Sequence, residues 1–295
     1  MERRINCKVE KDCTLYTLLK TQLGLTKKQI SQAKFRKEGI LVNGRQKRVT
    51  EMVRAGEVVS VCLEEKEVSG KSLPVEGELP EIVYEDEDLI VVNKPAGLVV
   101  HPSHGHYTDT LSNRLSYYFH RQGKESKMRS MGRLDKDTSG LVVFAKNQMA
   151  AGRLAREKEE GIFTKEYIAC VEGNVAQDKE RISEKIGPMP GELMKMCVTE
   201  EGKEAVTEFE VLDRKEFYTV LRLRLQTGRT HQIRVHMAWY GHPLLGDPLY
   251  GHNRYSVKRA ALHAEKVHLV QPVTGKELTL TAELPEDMKK IKEDL

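Results

Sequence analysis

Leu15, Leu18, Leu19 and Leu23 recur at helical spacing, with Asp12 and Thr14 available as caps, and predict a short first helix. A second helix reads from Thr26, with Ile30 and Ala33 on its apolar face and Gly39 beyond its end. Ile40-Leu41-Val42 then forms a short apolar run closed by Asn43-Gly44-Arg45, and Asn-Gly after such a run predicts a hairpin. Val58, Val59 and Val61 make another strand. From 64 to 80 the chain is charged, carries Gly, Ser and Pro, and loses all apolar periodicity, as a linker does. The pattern divides the protein into residues 1–65, a linker at 66–80 and a larger unit at 81–295.

The larger unit opens with an acidic stretch and the strand Leu89-Ile90-Val91-Val92-Asn93, followed by a turn at Lys94-Pro95-Ala96-Gly97-Leu98. A helix is predicted over 109–120, a basic loop over 121–129, and a buried strand at Leu141-Val142-Val143-Phe144-Ala145. Asn147 caps a helix running to about 159, and 163–171 alternates as a half-buried strand should. Residues 183–203, rich in Gly, Pro and Met with no period, read as a loop. Strands follow at 205–212 and 218–226, then a helix at 230–240, two late strands and a charged C-terminal helix. Many strands with scattered helices and no regular βαβ period predict an α+β fold.

At 295 residues the length prior is about two domains. No apolar run approaches the roughly 18 residues of a membrane span, and no apolar stretch follows the charges of the N-terminus as in a signal peptide. Five cysteines (Cys7, Cys13, Cys62, Cys170, Cys197) are scattered and never in a C-x-x-C pair, which fits reduced thiols in the cytoplasm. The net charge of +4 is unevenly spread, with +6 carried by residues 1–65 and −2 by the remainder. Lys27, Lys28, Lys34, Arg36 and Lys37 lie on or beside the polar face of the second helix, and Arg45 follows in the hairpin. Such a unit suggests a polyanion-binding appendage; the plainer alternative is a solvated basic face.

The most informative segment is Met131-Gly132-Arg133-Leu134-Asp135-Lys136-Asp137-Thr138-Ser139-Gly140. Small hydroxylated residues and a glycine before an apolar run predict a tight loop feeding a buried strand. A carboxylate presented by such a loop can act as nucleophile or base, although Asp and Ser also cap ordinary turns.

R-L-D-x-x-T-S-G at 133–140 resembles the central motif of the pseudouridine synthase family that includes the ribosomal large subunit synthases of A, C and D type. Three further segments resemble that family in order: Lys165-Glu166-Tyr167-Ile168-Ala169, Thr227-Gly228-Arg229-Thr230-His231-Gln232-Ile233-Arg234, and Ala261-Leu262-His263-Ala264. The second continues through Gly246-Asp247-Pro248, and the likeness spans about residues 81–285. One departure is Gly132, where many members carry His. Residues 12–65, with two short helices, a basic helix end and Val-Asn-Gly, resemble the alpha-L RNA-binding motif.

The resemblance implies a mixed, largely antiparallel sheet of pseudouridine synthase type preceded by a small α+β RNA-binding domain. It implies isomerisation of uridine in structured RNA, in 23S ribosomal RNA or alternatively in transfer RNA. Asp135 would attack the anomeric carbon or remove the 2′ proton, and oxocarbenium-like charge at the sugar makes a carboxylate its natural partner. Arg234 would pair with Asp135 and keep it ionised, Tyr167 would stack on the detached uracil, and Arg133 would fill the vacated stack and bind phosphate. Lys27, Lys28, Lys34, Arg36, Lys37 and Arg45 would hold RNA.

No cofactor or metal is expected for a redox-neutral rearrangement, and the protein is expected to work as a monomer. The histidines of His101-Pro102-Ser103-His104-Gly105-His106 read as a loop, because no cysteine or H-E-x-x-H helix joins them. The acidic run Glu157-Lys158-Glu159-Glu160 reads as a solvated helix end. Two rivals come from other classes. A silent RNA-binding or ribosome-assembly factor on the same fold would lack Asp135, Tyr167 or Arg234, and a zinc nucleobase deaminase would need H-x-E with P-C-x-x-C.

Overall fold

A computed structural model describes residues 2–64, 72–103, 105–124, 128–252 and 257–294. The first part of the expected linker (65–71), the middle of the basic loop (125–127) and His104 lie outside the described residues. Among the described residues no helix is long and apolar enough to cross a membrane.

The N-terminal unit comprises β1 (Glu2–Lys8), β2 (Cys13–Thr14), α1 (Leu15–Thr21), α2 (Lys27–Lys34), β3 (Ile40–Val42), β4 (Arg45–Gln46), β5 (Met52–Val53) and β6 (Val58–Glu64). Its sheet runs β1-β6-β3-β4, with β2 paired to β5. Thr14 caps α1 through the Thr17 amide, and Thr26 and Gln29 close a capping box on α2. At the hairpin both Asn43 (φ 47) and Gly44 (φ 76) adopt the left-handed conformation that a two-residue loop requires. Leu15, Leu18 and Leu19 are fully buried against Val53, Val59 and Val61. The strand β1 has no counterpart in the sequence reading. Only Ile5 is fully buried in its described part, so its apolar signal is faint.

The remainder is built on β7 (Ile82–Glu85), β8 (Leu89–Lys94), α3 (Leu111–Arg121), β9 (Arg129–Ser130), β10 (Ser139–Ala145), α4 (Gln148–Glu159) and β11 (Thr164–Glu172). There follow β12 (Lys179–Ser183), β13 (Ile186–Pro188), β14 (Met196–Val198), β15 (Val206–Arg214) and β16 (Tyr218–Leu225). The chain closes with α5 (Gln232–Trp239), β17 (Leu262–Val270), β18 (Glu277–Thr281) and α6 (Glu286–Asp294). Ten strands form one sheet along β12-β15-β16-β11-β17-β10-β8-β7, with β9 on β10 and β18 on β17. Pairing is antiparallel except between β10 and β17. The stretch read as a loop over 183–203 instead holds the hairpin β13–β14, whose strands of three residues are too short to show a period.

The sheet is covered on both faces. Val142, Phe144, Tyr167 and Ala169 meet α3 and α5 on one side. Leu141 and Val143 meet Ala150 and Leu154 of α4 on the other, where Ile168 and Cys170 meet Met288 and Ile291 of α6. Because both faces are covered, β11 is buried through most of its length rather than half-buried as its alternation suggested. Residues 72–80 are strapped to α3, since the Asn113 amide donates to the Leu73 carbonyl and Arg114 to that of Glu78.

The N-terminal unit seats on α4. Met149 joins its core, and Arg153 donates through Nε (2.8 Å) and Nη2 (2.7 Å) to the Leu23 carbonyl and through Nη1 to that of Pro272. Removing this side chain strands the carbonyls of Leu23 and Pro272 at a covered contact, and takes a longer hydrogen bond from that of Gln22. Arg153→Met is therefore expected to lower stability by about 2 kcal/mol and to let the N-terminal unit melt first. Thermal unfolding followed by hydrogen exchange checks this; unchanged protection of 15–61 in the variant would contradict it.

Candidate active site

Residues 131–138 cross the end of the sheet between β9 and β10 and carry Asp135. The Thr138 amide donates to the Asp135 carbonyl at 3.2 Å, closing the turn. Gly140 (φ +112) starts the buried strand where a Cβ would collide with the Ala264 carbonyl oxygen of β17, so β10 and β17 approach closely only with glycine here.

Two cations from elsewhere in the fold grip the loop's backbone. The buried Lys94 ammonium donates to the carbonyls of Leu98 (2.8 Å), Pro95 (2.9 Å) and Lys136 (3.0 Å). Burial pushes Lys94 down to about 7, opposed by the charges of Asp137 and Asp135. Arg259, paired with Asp287 at 2.6 and 2.9 Å, donates to the Asp137 carbonyl at 3.1 Å. The carbonyls of Lys136 and Asp137 are thus fixed, while the Asp135 side chain, 27% exposed, faces solvent.

Arg234 leaves the first turn of α5 almost fully buried. Its Nε and Nη2 each donate at 2.7 Å to the two oxygens of Asp247, which also accept the Leu249 (2.9 Å) and Tyr250 (3.2 Å) amides. The remaining Nη1 stands 3.7 Å from Asp135 Oδ2. The expected pairing is therefore present as a close approach, but the two-bond clamp belongs to Asp247. Burial alone would lower the Arg234 guanidinium; the hydrogen bonds and charge of Asp247, with that of Asp135, raise it instead. Tyr250 lies under the guanidinium, 5.1 Å from Cζ to ring centroid, and its hydroxyl meets His231 Nδ1 at 3.0 Å. His231 opens α5 in the left-handed conformation, φ 55.

Tyr167 projects from β11 onto the same face as α5. Burial first, and then the Asp135 charge, push its phenol well above the ordinary range, so it is protonated at neutral pH. Arg133 is exposed at the mouth, donating to Thr230 Oγ1 at 3.0 Å. Lys27, Lys28, Lys34, Lys37 and Arg45 are exposed on the N-terminal unit, and Arg36 is partly covered, its Nη1 3.9 Å from Cys62 Sγ.

Other side chains singled out in the sequence have different surroundings. His101 bridges Ser112 Oγ (2.7 Å) and Ser130 Oγ (2.5 Å), tying α3 to β9, and His106 meets Asp109 at 2.6 Å. Glu157 corrects the reading of a solvated helix end. It is buried and accepts the Val270 amide at 3.1 Å, and burial pushes its carboxyl up. Sequence reasoning gave no role to Lys94, Arg259 or Asp247. Asp247 lies in a segment that carried the resemblance, which was the available signal; Lys94 was read as part of a turn, and Arg259 offered none.

The profile of the RNA pseudouridylate synthase family matches residues 88–239, which include Asp135, Tyr167 and Arg234. The RNA pseudouridine synthase YhcT of Bacillus subtilis, named uncharacterized, is 39% identical over 94% of this chain and 91% of its own length. Ribosomal large subunit pseudouridine synthase D of Escherichia coli K12 is 38% identical over 84% of this chain and 80% of its own. Human RNA Pseudouridylate Synthase Domain Containing 1 is 27% identical, covering 78% of this chain and 97% of that one, with a TM-score of 0.57. The chain belongs to the RNA pseudouridylate synthase family, and the protein is an isomerase that acts on RNA.

The Arg234–Asp247 pair is buried and joined by two hydrogen bonds, so a single substitution can break it. Asp247→Asn leaves a buried guanidinium without its counter-charge and is expected to cost about 3 kcal/mol or more. Turnover should fall with it, because the Nη1 that approaches Asp135 loses its anchor. Thermal unfolding and single-turnover rates check both; a variant matching the unmutated protein in each would show that the clamp positions nothing.

Proposed function

We propose that Asp135 is the reacting carboxylate and that the substrate is a uridine in structured RNA of the large ribosomal subunit, 23S RNA. The observation that carries this reading is the Asp135 side chain itself. It is part-exposed on a loop gripped by Lys94 and Arg259, with the Arg234 guanidinium at 3.7 Å.

The bond from uracil N1 to ribose C1′ breaks, the base turns, and C5 bonds to C1′ while its proton leaves and N1 gains one. Asp135 either adds to C1′ or takes the 2′ proton, and the Arg234 guanidinium 3.7 Å away is placed to aim the carboxylate for either route. Tyr167, held protonated, offers a ring face to the detached uracil and an O–H to donate; service as the C5 base would demand its deprotonation first.

A duplexed uridine is reached only by leaving its stack, and Arg133 at the mouth is the side chain to fill that vacancy. The exposed lysines of α2, with Arg36 and Arg45, supply the phosphate contacts of an RNA-binding domain spanning 1–65, joined by a linker at 66–80 to a catalytic domain at 81–295. The ribosomal target rests on the likeness to large subunit synthase D over most of both chains. A cytoplasmic location follows from such a substrate.

Pseudouridines mapped in total RNA from cells with and without the protein test the reading. Loss of one or more sites in large-subunit RNA is the expected result. Sites lost only from transfer RNA would overturn the target, and no lost site in any RNA would contradict the activity on structured RNA altogether.

A further inference from the structure

Lys158 stands at the C-terminal end of α4, beside the loop that presents Asp135. Of the neighbouring carboxylates, Glu157 accepts the Val270 amide, Glu160 pairs with Arg156 at 2.7 Å, and the exposed Glu159 makes no ion pair among the described residues. Lys158 is exposed, and among the described residues its ammonium has no hydrogen bond or ion pair. Its Nζ lies 3.8 Å from where a Cβ would stand on Gly132, and 3.8 Å from the same point on Gly228. One glycine precedes Arg133 in the Asp135 loop; the other precedes Arg229 and Thr230 ahead of α5. The ammonium therefore spans the gap between the two loops, and both face it with bare backbone.

Further positive charge converges on the same gap. Arg133 is held over it by Thr230 at 3.0 Å. Lys165 is near enough to feel the Lys158 charge. Its Nζ donates to the Leu141 carbonyl at 3.3 Å, and burial, then Lys158, pushes it down to about 7, so it adds only part of a charge. Unpaired like charges at close quarters repel, and a bound anion relieves that repulsion. The Asp135 carboxylate faces Arg234 instead, at 3.7 Å. A larger side chain at position 132 or 228 would fill the space that an anion needs.

We propose that Lys158, with the bare backbone at Gly132 and Gly228 and the Arg133 guanidinium, binds a phosphodiester flanking the uridine delivered to Asp135. The inference rests on the reading of Asp135 as the reacting carboxylate and adds a contact outside the four motifs. An unstacked nucleotide turns about its flanking phosphates, so gripping one of them fixes its position. Lysine suits the task as a compact charge with three donors on a flexible stem.

The test uses the full-length enzyme and a stem-loop carrying the uridine that RNA mapping identifies. Lys158→Ala should raise KM several-fold with a much smaller effect on kcat. The slope of log affinity against log salt should lessen by about 0.7 to 0.9, the share of one phosphate. Lys158→Arg should recover most of the loss, and Lys158→Glu should exceed it. Lys289→Ala, which removes a lysine paired with Glu283 and Glu286, should change neither KM nor slope. Next, a neutral methylphosphonate is placed at each phosphate flanking the target uridine. One position should weaken the unmutated enzyme and leave Lys158→Ala as it was. If every position weakens both proteins equally, or if Lys158→Ala keeps the unmutated KM and slope, the phosphate contact is wrong. Absence of product from the unmutated enzyme would instead overturn the reading of the Asp135 site.

Discussion

A guanidinium buried beside a sheet has to be neutralised where it stands, and in this protein Asp247 does so. Its carboxylate is fully enclosed and accepts four hydrogen bonds, two from Arg234 and two from the amides of Leu249 and Tyr250. Pairing so complete leaves no charge uncompensated in a low-dielectric setting, where an unpaired ion would cost several kcal/mol. It also leaves only Nη1 of Arg234 uncommitted to Asp247, and that nitrogen points at Asp135 from 3.7 Å. The carboxylate at the mouth of the site is thus addressed by a cation whose direction is set thirteen residues further along the chain.

The sheet order explains how the remaining groups arrive. Strand β17 lies between β10, which follows the Asp135 loop, and β11, which carries Tyr167. The parallel register Ser139↔His263 and Gly140↔Ala264 sets the loop's exit, with Gly140 admitting the close approach. Helix α5 covers the Tyr167 face and delivers Arg234, while α4 covers the opposite face and carries Lys158 to the rim. The same α4 seats the N-terminal unit through Met149 and Arg153. One helix therefore links the most basic part of the chain to the mouth of the candidate site.

Local signals in the sequence foretold what local physics decides. The caps at Thr14, Thr26 and Asn147, the Asn43-Gly44 hairpin and the apolar run of β10 all stand where their residues placed them. The positions of Asp135, Tyr167 and Arg234 came from motif resemblance, and the structure brings Asp135 and Arg234 within 3.7 Å. What escaped was long-range or weakly patterned. Strand β1 depends on β6 for its identity, and β13 and β14 are too short to show a period. Glu157 was legible in principle, since helical spacing puts it on the face of Ala150 and Leu154. Charge outweighed period in that reading. The clamp on Arg234 joins residues thirteen apart across a turn, and no periodicity reports such a pairing.

The central claim is that Asp135 reacts and does not merely hold its loop. The loop's shape is set through backbone carbonyls by Lys94 and Arg259, so replacing the side chain alone should leave the scaffold intact. Purified Asp135→Asn, prepared free of unmutated enzyme, is the direct measurement. The account expects a melting temperature close to that of the unmutated protein, retained RNA binding and no pseudouridine, because an amide can serve as neither nucleophile nor base. Measurable turnover by that variant would contradict it.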